Sequence, residues 1–241
     1  MDIYGFKEGI LKKQDSIIDA FDLEIQKHKI ISVVGGGGKT SLIFALAYEF
    51  SKSGKKVIVT ATTKMYERED MCLFCQKEKI IKSLNENKFA FVGKMAEKGK
   101  ITADFDDIDS ILDLCDILLI ESDGSHHLPF KVPNENEPVI YPKTDVVIGV
   151  CGLSSLGKEI KYVCHRKEEA VNVLGKNESD VIDEKDISFI LSSTLGQMKN
   201  VKCEYRFFIS QMGIAGYENG RKIAFDLYNK GLKGSFGELK E

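Results

Sequence analysis

The sequence predicts a three-layer α/β fold with a mainly parallel sheet flanked by helices, and three observations carry that prediction. Short apolar, β-branched runs alternate with helix-periodic segments along the 241 residues. The connections are short, as in Ile30–Val34, a helix from Thr40, Ser53-Gly54 and then Val57–Thr60. A run of four glycines, Gly35, Gly36, Gly37 and Gly38, stands at the end of the first of these strands and directly before the helix.

Asp15 to Lys27 places Ile17, Ile18, Phe21 and Ile25 at helical spacing, so residues 1–28 are expected to form a leading helical segment. Lys29–Val34 is the first strand, Thr40–Lys52 a helix, and Val57–Thr60 a second strand beside the first. Glu78–Asn85 is expected to be helical, Phe89–Val92 a strand with a hairpin partner near Ile101, and Asp107–Cys115 a helix. Asp116–Ile120 is a fully apolar strand running into Glu121-Ser122-Asp123-Gly124. Residues 125–143 form a loop holding all four prolines, Pro129, Pro133, Pro138 and Pro142. Val146–Val150 is another strand, Glu168–Leu174 and Lys185–Leu195 are helices, Arg206–Ser210 is a strand and Gly220–Lys230 a last helix. With no repeat and no linker, residues 1–241 are expected to form one domain.

Hydrophobic content of 43%, charged content of 29% and a net charge of −3 describe an ordinary globular chain without a basic footprint for nucleic acid. No run approaches a membrane span, and the start lacks a signal-peptide pattern. Six scattered cysteines fit reduced thiols, so a soluble cytoplasmic protein is expected.

The glycines carry the chemistry. Backbone N–H groups at a strand-to-helix junction can turn inward only where side chains do not obstruct them, and the helix N-terminus adds partial positive charge. Lys39 would then meet the outer phosphates of a nucleotide, while Thr40, followed by Ser41, would place a hydroxyl where Mg²⁺ bridges them. The strict G-x-x-x-x-G-K-[ST] pattern fails at Val33. What remains, Gly35 to Thr40, is the compact form seen in deviant P-loop ATPases and GTPases and in Mur-type ligases, and it makes the expected fold P-loop NTPase-like. Glu121 and Asp123, two apart, are the acidic candidates on a second strand. Glu121 is assigned to magnesium, and Asp123 to a water or the substrate. Thr60, Thr62, Thr63 and Lys64 close a strand where hydroxyls either reach the phosphates or bond their own turn.

GGGGKTS, TATTKM, ESDGS, PFKVPNENEPVI, DVVIGVCGLSSLGK and Cys164-His165-Arg166 occur in this order. Together they resemble the YqeC family, accessory proteins of selenium-dependent molybdenum hydroxylases, strongly from about Ile30 to Arg166. The resemblance implies a nucleotide-binding role in maturing the hydroxylase or its molybdenum cofactor, with a selenium intermediate or the hydroxylase as partner. On its motif positions stand Lys39, Thr40, Glu121, Asp123, Lys131, Glu137 and Arg166. Arg166 is expected to neutralise transition-state charge. Lys131, Glu135, Glu137 and Lys143 are expected to line the substrate side of the proline loop. His126 and His127 fall outside the motif letters, and Lys167 stands where proline is usual. The strand FFIS leads into Gln211-Met212-Gly213 without the N-K-x-D that reads guanine, which leaves ATP as the default nucleotide. Cys72 and Cys75 form a lone C-x-x-C, read with Cys151 as packing rather than metal or selenium chemistry. Three readings remain open: a Mg-ATP-dependent enzyme, a nucleotide-gated delivery module, and a nucleotidyl or phosphoryl transferase acting on the cofactor.

Overall fold

The computed structural model describes residues 2–97, 99–213 and 216–239. The chain opens with a hairpin, β1 (Asp2–Lys7) and β2 (Ile10–Gln14), joined by Glu8-Gly9 with Lys7 opposite Ile10. Both turn residues have positive φ, 52° and 79°, the two-residue turn whose twist matches antiparallel strands. The expected leading helix shrinks to one turn, α1 (Ile17–Ala20). Its N-terminal amides are taken up by Glu49, whose carboxylate accepts from Ile17 N at 2.8 Å and Ile18 N at 3.3 Å. Asp22, at φ 52°, turns the chain out of the helix. Ile17 and Phe21 are buried as their spacing predicted, but one helical turn and a reversal bury them.

Next come β3 (Ile30–Gly35), α2 (Lys39–Lys52), β4 (Val57–Ala61), β5 (Met65–Tyr66), β6 (Cys72–Leu73) and α3 (Lys77–Asn87). They are followed by β7 (Phe89–Met95), β8 (Lys100–Thr102), α4 (Phe105–Asp109) and β9 (Ile117–Glu121). The helix expected over Asp107–Cys115 instead ends at Asp109, and a 3₁₀ turn, Leu112–Leu114, leads into β9. The capping box of Asp104 and Asp107 moves its start forward to Phe105. The proline loop contains β10 (Phe130–Lys131), which pairs in parallel with β12 (Cys164–His165). Between these lie β11 (Val146–Gly152) and α5 (Ile160–Val163). The chain continues through α6 (Lys167–Leu174), α7 (Glu184–Ser192), β13 (Glu204–Ser210), α8 (Gly216–Asn229) and β14 (Lys233–Glu238).

The main sheet runs β2-β1-β14-β13-β11-β3-β9-β4-β7-β8-β5, with β6 attached to β7. Every pairing from β14 to β7 is parallel, and antiparallel strands extend it at each end. The expected adjacency of the first two parallel strands is not found. The strand ending in TATTK does not adjoin the glycine-bearing strand, because β9 lies between them with Glu121 opposite both Val33 and Ala61. Sequential parallel strands are neighbours only about two-thirds of the time. The effect is to bring the acidic strand directly beside the glycine loop.

Alternation along the strands divides the core. Ile31 and Val33 of β3, with Val57 and Val59 of β4, pack with Leu42, Ile43, Leu46 and Phe50 of α2. Ile58, Leu118 and Ile120 face the other way, onto Ile80 and Leu84 of α3 and Ile108 of α4. Val147, Phe207 and Ile209 share that side with Ile187 and Ile190 of α7 and Ile223 and Leu227 of α8. Among the described residues no helix is long and apolar enough to cross a membrane.

Asp145, just before β11, accepts from Lys29 N at 2.9 Å and Ile30 N at 2.8 Å, fixing where β3 begins. Asp145→Ala removes the acceptor for two backbone donors. It should cost about 1–3 kcal/mol, which at this chain length lowers Tm by roughly 2–4 °C per kcal/mol. Thermal unfolding of the two proteins tests this, and an unchanged Tm would refute the anchoring role.

Candidate functional site

The C-terminal ends of β3, β9 and β4 meet the N-terminus of α2 at the mouth of a cleft of about 890 Å³. This is where parallel α/β sheets bind ligands. Gly35 and Gly37 have φ of 102° and 76°, and a Cβ on either would lie 2.1 Å from Val150 O or 2.5 Å from Gly152 N. No other residue fits a loop folded this tightly against β11. Its inner amides are occupied: Gly36 N donates to Val150 O and Gly37 N to Leu128 O, each at 3.0 Å. The outer part differs. Gly38 is the N-cap of α2 with φ 113° and gives no side-chain cap, so the first turn of a 14-residue helix opens into the cleft.

Lys39 lies in that first turn yet is only 4% exposed. Its Nζ donates to Gly35 O at 2.7 Å and Ser125 Oγ at 3.2 Å, and stands 3.3 Å from Asp123 Oδ1. Thr40 Oγ1 donates to Glu121 Oε2 at 2.8 Å. Burial pushes the Glu121 carboxyl above its ordinary range, against the opposing pull of Lys39 and the Thr40 hydroxyl.

Asp123 and Lys131 correct the expectation that both face a ligand. Asp123 is fully buried, and both its oxygens accept from Gly35 N, at 3.0 and 2.9 Å. Lys131 Nζ lies 3.0 Å from Asp123 Oδ2 and 3.2 Å from Glu137 Oε2, and donates to Gly124 O at 2.5 Å. These two form the foundation beneath the cleft. Glu137 does line it, with Arg166 Nη2 3.4 Å from its Oε1. Burial pushes Glu137 up, but Lys131 and Arg166 outweigh that and hold it below the usual carboxylate range.

The cleft also gathers Lys39, Thr40, Ser41, Thr63, Glu121 and Arg166. Thr62 turns away and donates to Val139 O at 2.6 Å, tying β4 to the proline loop. Lys143 pairs with Asp109 on the exterior, and Glu135 is exposed outside the cleft. Cys72 is buried and Cys75 exposed, and among the described residues no cluster of three His, Cys, Asp or Glu is placed to hold a metal. Burial raises the Cys151 thiol far above its ordinary range, which leaves it protonated and packed. Sequence reasoning missed Ser125, which helps hold Lys39, and Tyr66, Arg68, Lys100 and His165 on the cleft wall. Tyr66 and Arg68 follow TATTKM within three residues, so extending that motif finds them. Ser125 and His165 already stand inside ESDGS and Cys164-His165-Arg166, and Lys100 lies in none of the motifs.

Two outcomes follow from this geometry. Lys131→Met leaves buried Asp123 and half-buried Glu137 without their shared cation, and should destabilise by about 3–5 kcal/mol. Adding Asp123→Asn should recover part of that loss in denaturant titrations; an equally unstable double variant would refute the pairing. For Glu121, the folded state holds a proton more tightly than the unfolded state. Stability from this group is therefore present in acid and lost as pH rises through the raised folded pKa. Glu121→Gln should raise Tm at neutral pH and lose that advantage in acid. A gain independent of pH would refute this.

The family profile described as YqeC protein matches residues 31–168, more than half of the chain, from β3 into α6. A protein of Escherichia coli (strain K12), named "Uncharacterized protein YqeC", is 32% identical over 212 residues, covering 81% of this chain and 83% of that relative. Among solved structures, signal recognition particle receptor FtsY from Elizabethkingia anophelis matches at 16% identity and a TM-score of 0.34. That match covers 76% of this chain and half the length of FtsY, and is too loose to bear on function. The matched family segment contains the glycine loop, Glu121, Asp123, Lys131, Glu137 and Arg166, and the chain belongs to the YqeC family.

Proposed function

We propose that the protein binds a magnesium nucleotide, ATP by default, and serves as an accessory protein in maturing a selenium-dependent molybdenum hydroxylase or its cofactor. The convergence of Lys39, Thr40 and Glu121 at the uncapped start of α2 carries the nucleotide reading. The maturation role rests on family membership.

The residues fit both groups. Open helix amides and an ammonium suit phosphate oxygens. A hydroxyl bonded to a buried carboxylate suits a hard cation that keeps part of its water shell, and the cation would supply charge neutralisation there. Lys39 would exchange Gly35 O and Ser125 for phosphate, the α2 amides would orient it, and Glu121 would turn from Thr40 toward the cation's waters. Arg166, at the cleft wall beside Glu137, would offset charge on the outer phosphate.

The nucleotide-gated reading has its own support. Lys39 Nζ is bound to Ser125, and Gly37 N to Leu128 O, so the loop after β9 shares its contacts with the phosphate site. Moving Lys39 would release Ser125, a route from nucleotide occupancy to the shape of the cleft. Partner affinity that changes with nucleotide would favour this reading, and fast hydrolysis indifferent to partners would favour the enzyme.

Lys39→Ala should weaken nucleotide binding about tenfold or more with or without magnesium, since charge-assisted hydrogen bonds are worth about 1.5–3 kcal/mol. Glu121→Gln should spare metal-free binding and remove the strengthening that magnesium confers. Calorimetry with ATP, GTP and CTP checks both, and no binding of any of the three by the unmodified protein would sink the proposal.

A further inference from the structure

The cleft is larger than its phosphate end requires. Ligand pockets span roughly 300–1,000 Å³, and this one reaches about 890 Å³ because a second wall lies opposite α2. That wall comes from β5, β8, the turn after Gly124 and the end of β12, none of which belongs to the glycine loop. Lys64, Arg68, Lys100 and Arg166 stand there against Glu67 and Glu137.

The four cations are not equally committed. Lys64 pairs with Glu97 at 3.6 Å and Arg68 with Asp70 at 3.1 Å. Lys100 lies 4.9 Å over the Tyr66 ring, its partner in register across the β5–β8 pair. Arg166 reaches Glu137 only at 3.4 Å, and its buried Nε has no hydrogen-bond partner. Its φ of 68° is a conformation that side-chain-bearing residues adopt at a cost.

Rings accompany these charges. His126 stacks on His165 with centroids 4.4 Å apart, and His127 faces Tyr66 at 5.9 Å. His126 and His127 both have positive φ, 50° and 62°, in a turn closed by Leu128 N donating to Ser125 O at 2.9 Å. Two successive non-glycine residues in that region are strained, and the conformation delivers both imidazoles to the cleft. Burial first, then Lys131, His126 and Arg166, lowers His165 to a pKa of about 4 against the opposing pull of Glu137.

We propose that this wall is a second ligand subsite, holding a small organic phosphate that carries a flat ring, beside the nucleotide rather than in its place. Lys100 would meet the phosphate, Arg166 would stand between it and the outer phosphate of the nucleotide, and Tyr66 with the imidazoles of His126 and His127 would meet the ring. The inference rests on the nucleotide reading only in assigning the α2 end of the cleft to another ligand. Contacts of Ser125 and Leu128 with the glycine loop make the two subsites neighbours through one turn.

Phenyl phosphate is the probe, titrated into the full chain with and without saturating magnesium and a non-hydrolysable ATP analogue, with imidazole resonances followed by NMR. Binding should shift the His126 and His165 signals and raise the apparent pKa of His165, because an anion favours the imidazolium. Thr40→Ala, which removes a hydroxyl bonded to Glu121, should leave the phenyl phosphate affinity within about twofold while magnesium-dependent nucleotide binding falls. Lys100→Gln with Tyr66→Ser, both on the cleft wall, should weaken phenyl phosphate about tenfold or more and leave nucleotide affinity unchanged. Competition between phenyl phosphate and the nucleotide, loss of the effect in Thr40→Ala, or equal binding of inorganic phosphate would each overturn the subsite. Silent imidazoles in a protein that binds nucleotide normally would overturn it while sparing the nucleotide proposal. Phenyl phosphate binding in a protein that takes no nucleotide would do the reverse.

Discussion

Asp123 is the constraint on which the site depends. A carboxylate removed completely from water must be matched by opposite charge and donors on every side. Here the matches are Gly35 N, Lys39 and Lys131, which come from the glycine loop, the first turn of α2 and the proline loop. One side chain at the end of β9 therefore fixes three segments far apart in sequence. Lys131 passes the constraint on to Glu137, and Glu137 to Arg166. Three cations and three carboxylates, with Glu121 counted, make the ligand-free site close to neutral. Any phosphate entering it must draw Lys39 away from partners it already has.

Much of this was legible in the sequence. The glycines, Lys39, Thr40 and Glu121 sit at a strand-to-helix junction and on a neighbouring strand because those positions are local or set by one apolar run. Fully apolar runs marked β9 and β11, and helical spacing marked α2. The leading segment was misread because Ile17, Ile18, Phe21 and Ile25 satisfy helical spacing, whereas Asp22 and the long-range cap from Glu49 decide the backbone. The Glu8-Gly9 turn of the hairpin has no counterpart in the helical reading of residues 1–28.

Strand order and depth were not legible. Nothing local says that β9 inserts between β3 and β4, nor that of two acids two residues apart one opens to the cleft and the other closes beneath it. Alternation puts Glu121 and Asp123 on one face only while the strand continues, and β9 ends at Glu121. Past that point the chain turns, and Ser122 N donates to Val33 O at 3.0 Å as Asp123 passes under the glycines. The same blindness to depth placed Lys131 on the substrate side of the proline loop, whereas it lies beneath the cleft between Asp123 and Glu137.

The two borders of the sheet bear on how copies of the protein meet one another. At one end the outermost strand is β2, Ile-Leu-Lys-Lys-Gln, with Lys12 and Lys13 side by side and exposed. At the other end it is β5, only two residues long, with Tyr66 drawn toward His127 and Lys100. A sheet edge is a template for another chain's backbone, and adjacent lysines or an abbreviated strand each spoil that template. Among the described residues the sheet has 12 strands, and further pairing is discouraged by lysines on one edge and by lack of length on the other.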